Sequence, residues 1–320
     1  MLKRRLIPGR ALSVALAGGV SASLAQPARG AANPLQESWR VETIVAEIDG
    51  GTGGLTLGAD GTLYSSEFGD KLGGGGRVGT RVWAISPAGE VSVFADGLDG
   101  ASGSAIDSHG TFFQSNIRGG SVTRIPKGGT PEIFVSEGIQ SPVGIEVDPD
   151  DNLYVANCGS SSIQKITPVG ESSRFVESDL LQCLNGITRD TDRGDFYVAN
   201  FMNGDVIKIS SDGEASKLTT LPGNNNGHLI YHDGSLYVVG RMANQIFRVG
   251  LDGTYSAIAG SGERGAADGP ALEATLSLPN DIAISPDGST LYINEIAPLD
   301  LPHTELAPTR IRKIVRVTDS

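Results

Sequence analysis

The feature that most constrains the fold of this chain is a pattern that recurs six times along it. Each copy contains a short strand that begins near a Gly or Asn, a tight turn, and a second strand with an aromatic residue at a fixed place. The clearest copies read PVGIEVDPDDNLYVAN (142–157), LNGITRDTDRGDFYVAN (184–200) and PNDIAISPDGSTLYINE (279–295). The six aromatic residues are Tyr64, Phe113, Tyr154, Tyr197, Tyr237 and Tyr292. A repeat length of roughly 40–55 residues predicts a fold built from one supersecondary unit.

Two more strands follow each of the first five copies. Their apolar and polar residues alternate, for example in SIQKITPVG (162–170) and DVIKISSDG (205–213), which is typical of half-buried strands. Asp-Gly and Pro-Asp turns separate the strands, and the chain has 44 Gly but only 3 Met. Units of this length with four short strands predict an all-β chain, a six-bladed β-propeller with four antiparallel strands per blade.

The sixth copy has a third strand at 310–317 but no fourth strand after it. The segment VETIVAEI (41–48), which precedes the first copy, resembles the fourth strand VSVFADGL (91–98). We therefore predict that this N-terminal strand pairs beside 310–317 and closes the last blade, because closure of the ring removes open strand edges.

The first residues have the composition of a signal peptide. Four basic residues lie within the first ten positions, and an apolar run follows at 11–25. The run ends with small residues at the positions that signal peptidase reads, and it is shorter than the roughly 20 residues of a transmembrane helix. We predict a signal peptide at 1–25, a flexible lead at 26–38 and the propeller domain at 39–320, in a periplasmic or secreted protein.

The chain is acidic, with a formal net charge of −12. Such a surface repels nucleic acid and anionic lipid. We expect no nucleic-acid partner, no membrane association once the signal peptide is removed, and a monomer. The two cysteines, Cys158 and Cys183, fall in loops on one face of neighbouring blades. In an exported protein this favours a disulfide, with a buried pair of free thiols as the alternative.

Loop lengths point to one face of the propeller. The loops between blades and those between second and third strands share a face, here called the top face, and the turns between first and second strands lie on the bottom face. Three top-face loops are long: 68–80, 260–279 and 296–309. Long loops on a rigid scaffold commonly carry function. We expect these loops to wall an opening of the central channel.

Polar residues stand where first strands begin and where second strands end. Those at the predicted channel are Asn185, His228, Asn280 and Asp281, with Glu67 and Glu295 nearby. Carboxylate and amide oxygens suit a hard cation, above all Ca²⁺. The alternative is that these side chains cap strand ends. His228 is either a general base or a hydrogen-bonded structural residue.

Three of the repeat segments carry a resemblance to known families. PNDIAISPDGSTLYINE and the LNGI element resemble the regucalcin/gluconolactonase family and the related paraoxonase and strictosidine-synthase-like propellers. SPVGIEVDPDDNLYVAN resembles NHL repeats. The first resemblance implies lactonase activity with a divalent cation in the channel, and it assigns Asn185, Asn280 and Asp281 as the metal ligands.

The chain departs from these families in blade 1. Gly53 and Gly54 stand where the lactonases have a metal-binding Glu. Loss of one carboxylate weakens a Ca²⁺ site severely. Glu67 or Glu295 is then the candidate for the missing carboxylate, as ligand or as base.

Two hypotheses of function follow. The first is an exported, metal-assisted hydrolase of a lactone or ester, with Ca²⁺ in the channel and His228, Glu295 and Glu67 as candidate catalytic residues. The second is a non-catalytic NHL-type propeller that binds a ligand or protein through its top face. A channel-site lyase or cyclase rests on fold analogy alone. The chain contains no Gly-x-Ser-x-Gly segment, which disfavours a serine hydrolase.

Overall fold

The computed structural model describes residues 38–73 and 75–317 of the chain. The predicted signal peptide 1–25 and the predicted lead 26–38, apart from its last residue, lie outside the described residues. The strands in chain order are β1 (Ser38–Ile48), β2 (Thr52–Leu57), β3 (Leu63–Glu67), β4 (Val82–Ile85), β5 (Val91–Ala95), β6 (Ala101–Ile106), β7 (Phe112–Asn116), β8 (Ser121–Ile125), β9 (Glu132–Val135), β10 (Pro142–Val147), β11 (Leu153–Asn157), β12 (Ser162–Ile166), β13 (Ser172–Glu177), β14 (Leu184–Arg189), β15 (Phe196–Asn200), β16 (Asp205–Ile209), β17 (Ala215–Thr220), β18 (Asn226–His232), β19 (Ser235–Gly240), β20 (Gln245–Gly250), β21 (Tyr255–Ala259), β22 (Gly269–Pro270), β23 (Ile282–Ile284), β24 (Thr290–Ile296) and β25 (Thr309–Val317).

Four consecutive antiparallel strands form each of the first five blades. The sheets run from β2 to β5, β6 to β9, β10 to β13, β14 to β17 and β18 to β21. The first strands of neighbouring blades contact one another around a central channel. The predicted six-bladed propeller is confirmed. Within the described part of the chain, no helix has the length and apolar character needed to cross a bilayer.

The N-terminal strand closes the sixth blade. This sheet has the order β22-β1-β25-β24-β23. β1 lies antiparallel to β25, with Val41 opposite Ile314 and Ile48 opposite Thr309. Val41 and Ile314 are both fully buried, so the ring is sealed by apolar contacts as well as by hydrogen bonds. The predicted closure is confirmed.

The repeated aromatic residues fill the spaces between blades. Tyr154 of β11 packs against Phe196 of the next blade, with ring centroids 4.3 Å apart. Phe175 approaches the Tyr154 ring edge-on at 5.1 Å. Such tilted and edge-on pairs add to the stabilisation gained from burial. One aromatic per repeat therefore provides the contact that holds each blade against the next.

A disulfide and a buried arginine tie the top-face loops to the blades. Cys158 of blade 3 is bonded to Cys183, which precedes blade 4, as predicted. Arg241 is 1% exposed and donates to the carbonyl oxygens of Leu278 at 3.0 Å and His303 at 3.4 Å. These two carbonyls belong to the long loops 260–279 and 296–309, so one guanidinium positions both loops over the channel.

Candidate functional site

A β-bulge near the start of the first strand in blades 1 to 5 sets the geometry of the channel. The pairing skips from Thr52 to Leu55 in blade 1 and from Asn226 to Leu229 in blade 5, and blades 2 to 4 show the same shift. The two intervening residues leave the ladder. The second of them defines a level around the channel that we call the ring level. The ring-level residues are Gly54, Gly103, Gly144, Gly186, His228 and, in blade 6, Asp281.

Glycine at four of the six ring positions lets the first strands approach one another closely. A Cβ atom on Gly144 would lie 2.7 Å from the carbonyl oxygen of Asn185 in the next blade. A Cβ atom on Gly186 would lie 2.6 Å from Cα of His228. Only glycine permits such contact between backbones. The ring level is therefore a constriction of the channel.

The channel contains one cavity on each side of the ring level. The lower cavity, on the bottom side, has a volume of about 520 Å³ and is lined by the first strands from the ring level down to the turns. The upper pocket, on the top side, has a volume of about 70 Å³. No described residue lines both spaces. The space for a ligand thus lies below the constriction, at the face opposite to the one that loop lengths indicated.

The upper pocket is small because two of the long loops lie across it. Leu72 N–H donates to the carbonyl of Thr304 at 2.9 Å, and Leu306 N–H donates to the carbonyl of Asp70 at 2.8 Å. The loops 68–80 and 296–309 are thereby joined. Phe68, Leu72 and Leu306 line the pocket. The long loops cover the upper end of the channel with apolar side chains instead of walling an opening.

Two polar residues occupy neighbouring ring positions and contact each other. His228 Nδ1 lies 3.4 Å from Asp281 Oδ1, and the side chains are 7% and 8% exposed. Both residues line the lower cavity. His228 Nε2 is buried and has no hydrogen-bond partner among the described residues. We assign the imidazole proton to Nδ1, facing the carboxylate, which leaves the lone pair on Nε2.

Backbone amides hold the Asp281 carboxylate in place. Oδ2 accepts from Leu55 N–H at 2.7 Å and Oδ1 accepts from Ile282 N–H at 2.6 Å. Burial raises the pKa of Asp281, and the contact with His228 and the two amides oppose this rise. Burial also lowers the pKa of His228, against the effect of Asp281. Desolvation thus favours the neutral imidazole, the form that can accept a proton.

The predicted ligands Asn185 and Asn280 lie on the other side of the constriction. Both line the upper pocket. The Asn185 amide nitrogen donates to the carbonyl of Asn226 at 3.1 Å, and that of Asn280 donates to the carbonyl of Gly53 at 2.9 Å. These bonds tie the first strands of neighbouring blades together. The structure therefore brings Asn185 and Asn280 into one pocket and Asp281, with His228, into another.

The two candidate carboxylates of the second strands are paired with arginines. Glu67 Oε1 lies 3.1 Å from Arg77 Nη2. Glu295 Oε1 lies 3.1 Å from Arg310 Nη1 and 2.8 Å from Arg312 Nη1. Neither glutamate is among the described residues that line the lower cavity or the upper pocket. The structure does not bring Glu67 or Glu295 to the His228–Asp281 pair.

The predicted ligand set does not fit Ca²⁺ in this arrangement. Calcium requires six to eight oxygen ligands, several of them carboxylates. Both oxygens of Asp281 already accept backbone amides, and Glu67 and Glu295 are engaged by arginines. Within the described residues, no group of three or more His, Cys, Asp or Glu side chains is arranged to hold a metal ion. We therefore derive no chemistry from a metal at this site.

A carboxyl group that the sequence analysis missed also lines the lower cavity. Glu146 of β10 lies two residues below the ring level, on a wall of the cavity. Its Oε1 accepts from Val147 N–H at 3.0 Å, and its carboxyl is also bonded by the Thr188 hydroxyl and the Arg189 backbone. Burial raises the pKa of Glu146 to about 7. The Glu146 carboxyl group is therefore partly protonated near neutral pH.

The register of the first strands could have revealed this group. The residues two places below the ring level in the other five blades are Thr56, Ala105, Thr188, Ile230 and Ala283. Glu146 is the acidic member of this set, in a channel-facing position where the other blades carry small, hydroxyl or aliphatic side chains. A charge at such a position costs stability unless it is paired and hydrogen-bonded or the group is neutralised.

One cation lies close to this acid. Arg189 of β14 is the only Lys or Arg among the described residues that line the lower cavity. Its guanidinium lies over the ring of Phe196, 6.0 Å from the centroid, which favours a fixed orientation. Its charge opposes the rise in the pKa of Glu146. The lower cavity is thus lined by the His228 imidazole, by a carboxyl group whose pKa is raised to about 7, and by a cation.

Comparison with known proteins supports the fold and leaves the activity open. No family model matches the sequence, and no curated protein matches it significantly. Among solved structures, a protein of unknown function from Bacteroides thetaiotaomicron is similar, with a TM-score of 0.70 and 18% identity over 88% of this chain and 77% of that chain. A gluconolactonase from Xanthomonas campestris has a TM-score of 0.66 and 15% identity over 87% of this chain and 90% of that chain.

A lyase has a similar architecture. Virginiamycin B lyase from Staphylococcus aureus has a TM-score of 0.60 and 16% identity over 88% of this chain and 100% of that chain. At such identities the similarities show the fold alone. They support a likeness to gluconolactonase-type propellers at the level of architecture, while membership of the regucalcin family stays a prediction.

Proposed function

We propose that this protein hydrolyses a lactone or ester in the lower cavity, with His228 as general base and Asp281 as the residue that positions it. The observation that carries this proposal is the contact of His228 with Asp281 at the roof of a cavity of about 520 Å³, with Nε2 left unpartnered. The fold shared with a gluconolactonase is consistent with this class of reaction. The predicted signal peptide would bring the enzyme to the periplasm or outside the cell.

The reaction requires a water molecule between Nε2 and the substrate carbonyl. The imidazole accepts a proton from this water, and the water oxygen adds to the carbonyl carbon. Asp281 stabilises the imidazolium that forms and keeps the ring oriented. The 3.4 Å contact is long for a hydrogen bond, but bonds of catalytic groups commonly tighten only when substrate is bound.

Electrostatic complementarity determines which substrates enter. The residues at the mouth include Asp107, Asp148 and Asp151, and Arg189 is the one Lys or Arg among the described residues that line the cavity. Anionic substrates are therefore disfavoured relative to neutral ones. Arg189 is placed to attract the carbonyl oxygen of a neutral substrate or the carboxylate formed from it.

The test is hydrolysis of neutral γ- and δ-lactones and alkyl esters by the purified mature protein. We expect turnover that falls by 10²–10⁴-fold in His228→Gln and somewhat less in Asp281→Asn, with both variants still folded by circular dichroism. His303→Gln is the matched control, because His303 is exposed in a top-face loop. Absence of turnover in the wild type, or full activity in His228→Gln, would reject the proposal. Ligand binding without turnover would instead favour the non-catalytic propeller.

A further inference from the structure

We infer that Glu146 is the general acid of the lower cavity, the group that protonates the leaving oxygen when the ester bond breaks. This inference rests on the proposed function, which assigns only the base. The lower cavity would then hold two reacting groups, His228 as the base and Glu146 as the acid. This assignment also predicts which esters depend on both groups.

The placement of the two groups follows from the register of the first strands. His228 stands at the ring level of blade 5, and Glu146 stands two residues lower in blade 3, on the same cavity. Two residues of a strand correspond to a descent of about 7 Å. The base therefore lies at the roof of the cavity and the acid on its wall.

A hydrogen-bond chain across three blades supports Glu146 in this position. Tyr231 N–H donates to the Thr188 hydroxyl at 3.0 Å. The hydroxyl keeps its own proton for the Glu146 carboxyl, with which it is bonded. The bond from Val147 N–H fixes Oε1. The side chain is thus oriented from its own strand and from the neighbouring blade, as expected for a reacting group.

The protonation state of Glu146 is set by the groups packed around it. Arg189 approaches from β14, Tyr154 lies opposite Glu146 in β11, and Asp107 follows β6 at the mouth. Asp148 follows on the same strand, and β6 itself offers no charged side chain. Burial outweighs these charges and raises the pKa of Glu146 to about 7. A carboxyl group with that pKa holds a proton at neutral pH and releases it readily, which is what a general acid requires.

Hydrolysis takes place in two stages, addition of water and departure of the ester oxygen. The attacking water gives one proton to His228 Nε2, its oxygen bonds to the carbonyl carbon, and the second bond of the C=O group breaks, with its electron pair moving to the carbonyl oxygen. The C=O double bond then re-forms as the bond from this carbon to the ester oxygen breaks, and the electron pair of the broken bond stays on the ester oxygen. The oxygen takes the Glu146 proton and leaves as an alcohol. Proton exchange with solvent returns the imidazolium and the glutamate to their starting states.

Esters whose leaving groups differ in basicity distinguish a general acid from a structural residue at position 146. The alkoxide of a lactone or alkyl ester is strongly basic and needs a proton as it departs, whereas p-nitrophenolate departs without one. We expect Glu146→Gln to lower kcat for lactones and alkyl esters by 10²–10⁴-fold. For p-nitrophenyl esters the same variant should lose less than about tenfold.

The pH profile gives a second readout. Wild-type kcat for lactones should fall as pH rises past about 7, where Glu146 loses its proton, and this decline should be missing in Glu146→Gln. The matched control is Glu171→Gln, because Glu171 is an exposed residue of the same blade. Retained p-nitrophenyl ester hydrolysis shows that a variant is folded.

Three outcomes would overturn the inference. An equal loss for both ester classes in Glu146→Gln would assign a structural role, and no loss for either class would assign none. In both cases the proposed function stands. If the wild type hydrolyses neither class, the proposed function fails and the inference fails with it.

Discussion

Arg312 Nη1 lies 2.8 Å from Glu295 Oε1, and both side chains are fully buried. Arg310 binds the same oxygen at 3.1 Å, while Glu295 Oε2 accepts from Ser277 N–H at 2.9 Å. One carboxylate thus joins β24, β25 and a long top-face loop. This network explains why an acidic residue at the end of a second strand, which resembles a site residue in the sequence, has a structural use.

We expect Glu295→Gln to lower the free energy of unfolding by about 3–5 kcal/mol, because the guanidinium groups of Arg310 and Arg312 lose the carboxylate that they share, and Arg312 keeps only the partly exposed Asp268. Urea denaturation measures this change. The matched control is Glu132→Gln, which breaks the exposed pair of Glu132 with Arg124 and should change stability by less than about 1 kcal/mol. Equal effects of the two substitutions would contradict the structural account of Glu295.

The constriction at the ring level predicts a second effect on stability. Gly144→Ala places a methyl group 2.7 Å from the carbonyl oxygen of Asn185, and a backbone cannot yield as a flexible side chain can. We expect a loss of about 1–3 kcal/mol, typical of overpacking. Gly128→Ala is the comparison for backbone strain. At this turn a Cβ atom meets nothing within 4 Å, but Gly128 has a φ of 71°, so a loss of stability there reports strain without a steric clash. A loss confined to Gly128→Ala would contradict the predicted clash at Gly144.

Calcium is expected to have little effect on this protein. The carboxylates predicted as ligands already accept backbone amides or arginine side chains, and a cation would have to displace these partners. Calorimetric titration of the chelator-treated protein should show no stoichiometric binding at micromolar Ca²⁺, and the melting temperature should be unchanged. Binding of one Ca²⁺ that is lost in Asp281→Asn would contradict this and restore the prediction made from family resemblance.

Glu146 should make stability depend on pH. Its pKa rises from 4.5 to about 7 on folding, so the folded state holds more protons than the unfolded state between these values. Stability conferred by this group is complete below pH 4.5 and is lost as pH rises through 7. The loss is on the order of 3 kcal/mol, since each unit of pKa corresponds to about 1.36 kcal/mol.

Comparison of the wild type with Glu146→Gln measures the contribution of Glu146 to the pH dependence of stability. Between pH 4.5 and pH 8, the free energy of unfolding of the wild type should fall relative to that of Glu146→Gln. A difference that stays constant over this range would show that the carboxyl group titrates normally.

The sequence predicts the propeller because the repeat is local and redundant. Tyr154 and Tyr197, for example, take equivalent places in consecutive blades, so six copies support one register. The same register places His228 and Asp281 side by side, since the first strands of neighbouring blades are adjacent in the ring. The fold, the closure and one contact of the candidate site were therefore within reach of sequence reasoning.

The location of the cavity could not be predicted from the sequence, because loop length does not reveal loop conformation. Whether 68–80 and 296–309 stand apart or join across the channel depends on backbone bonds such as that of Leu306 to Asp70. The partners of Glu295 were equally hidden, because Arg312 reaches it through the pairing of β24 with β25. Glu146 is not among the predicted site residues because these lie at strand starts and ends, whereas its carboxyl lies farther down the channel.

The pairing of β1 with β25 has a consequence for synthesis. The strand that leaves the ribosome near the beginning of the chain finds its partner only when residues 309–317 have emerged. A truncated product keeps Val41 and its neighbours on an unsatisfied strand edge, open to proteases and to other incomplete chains. Intact blades would then be discarded with the fragment, so a late nonsense mutation in the gene should remove the protein as thoroughly as an early one.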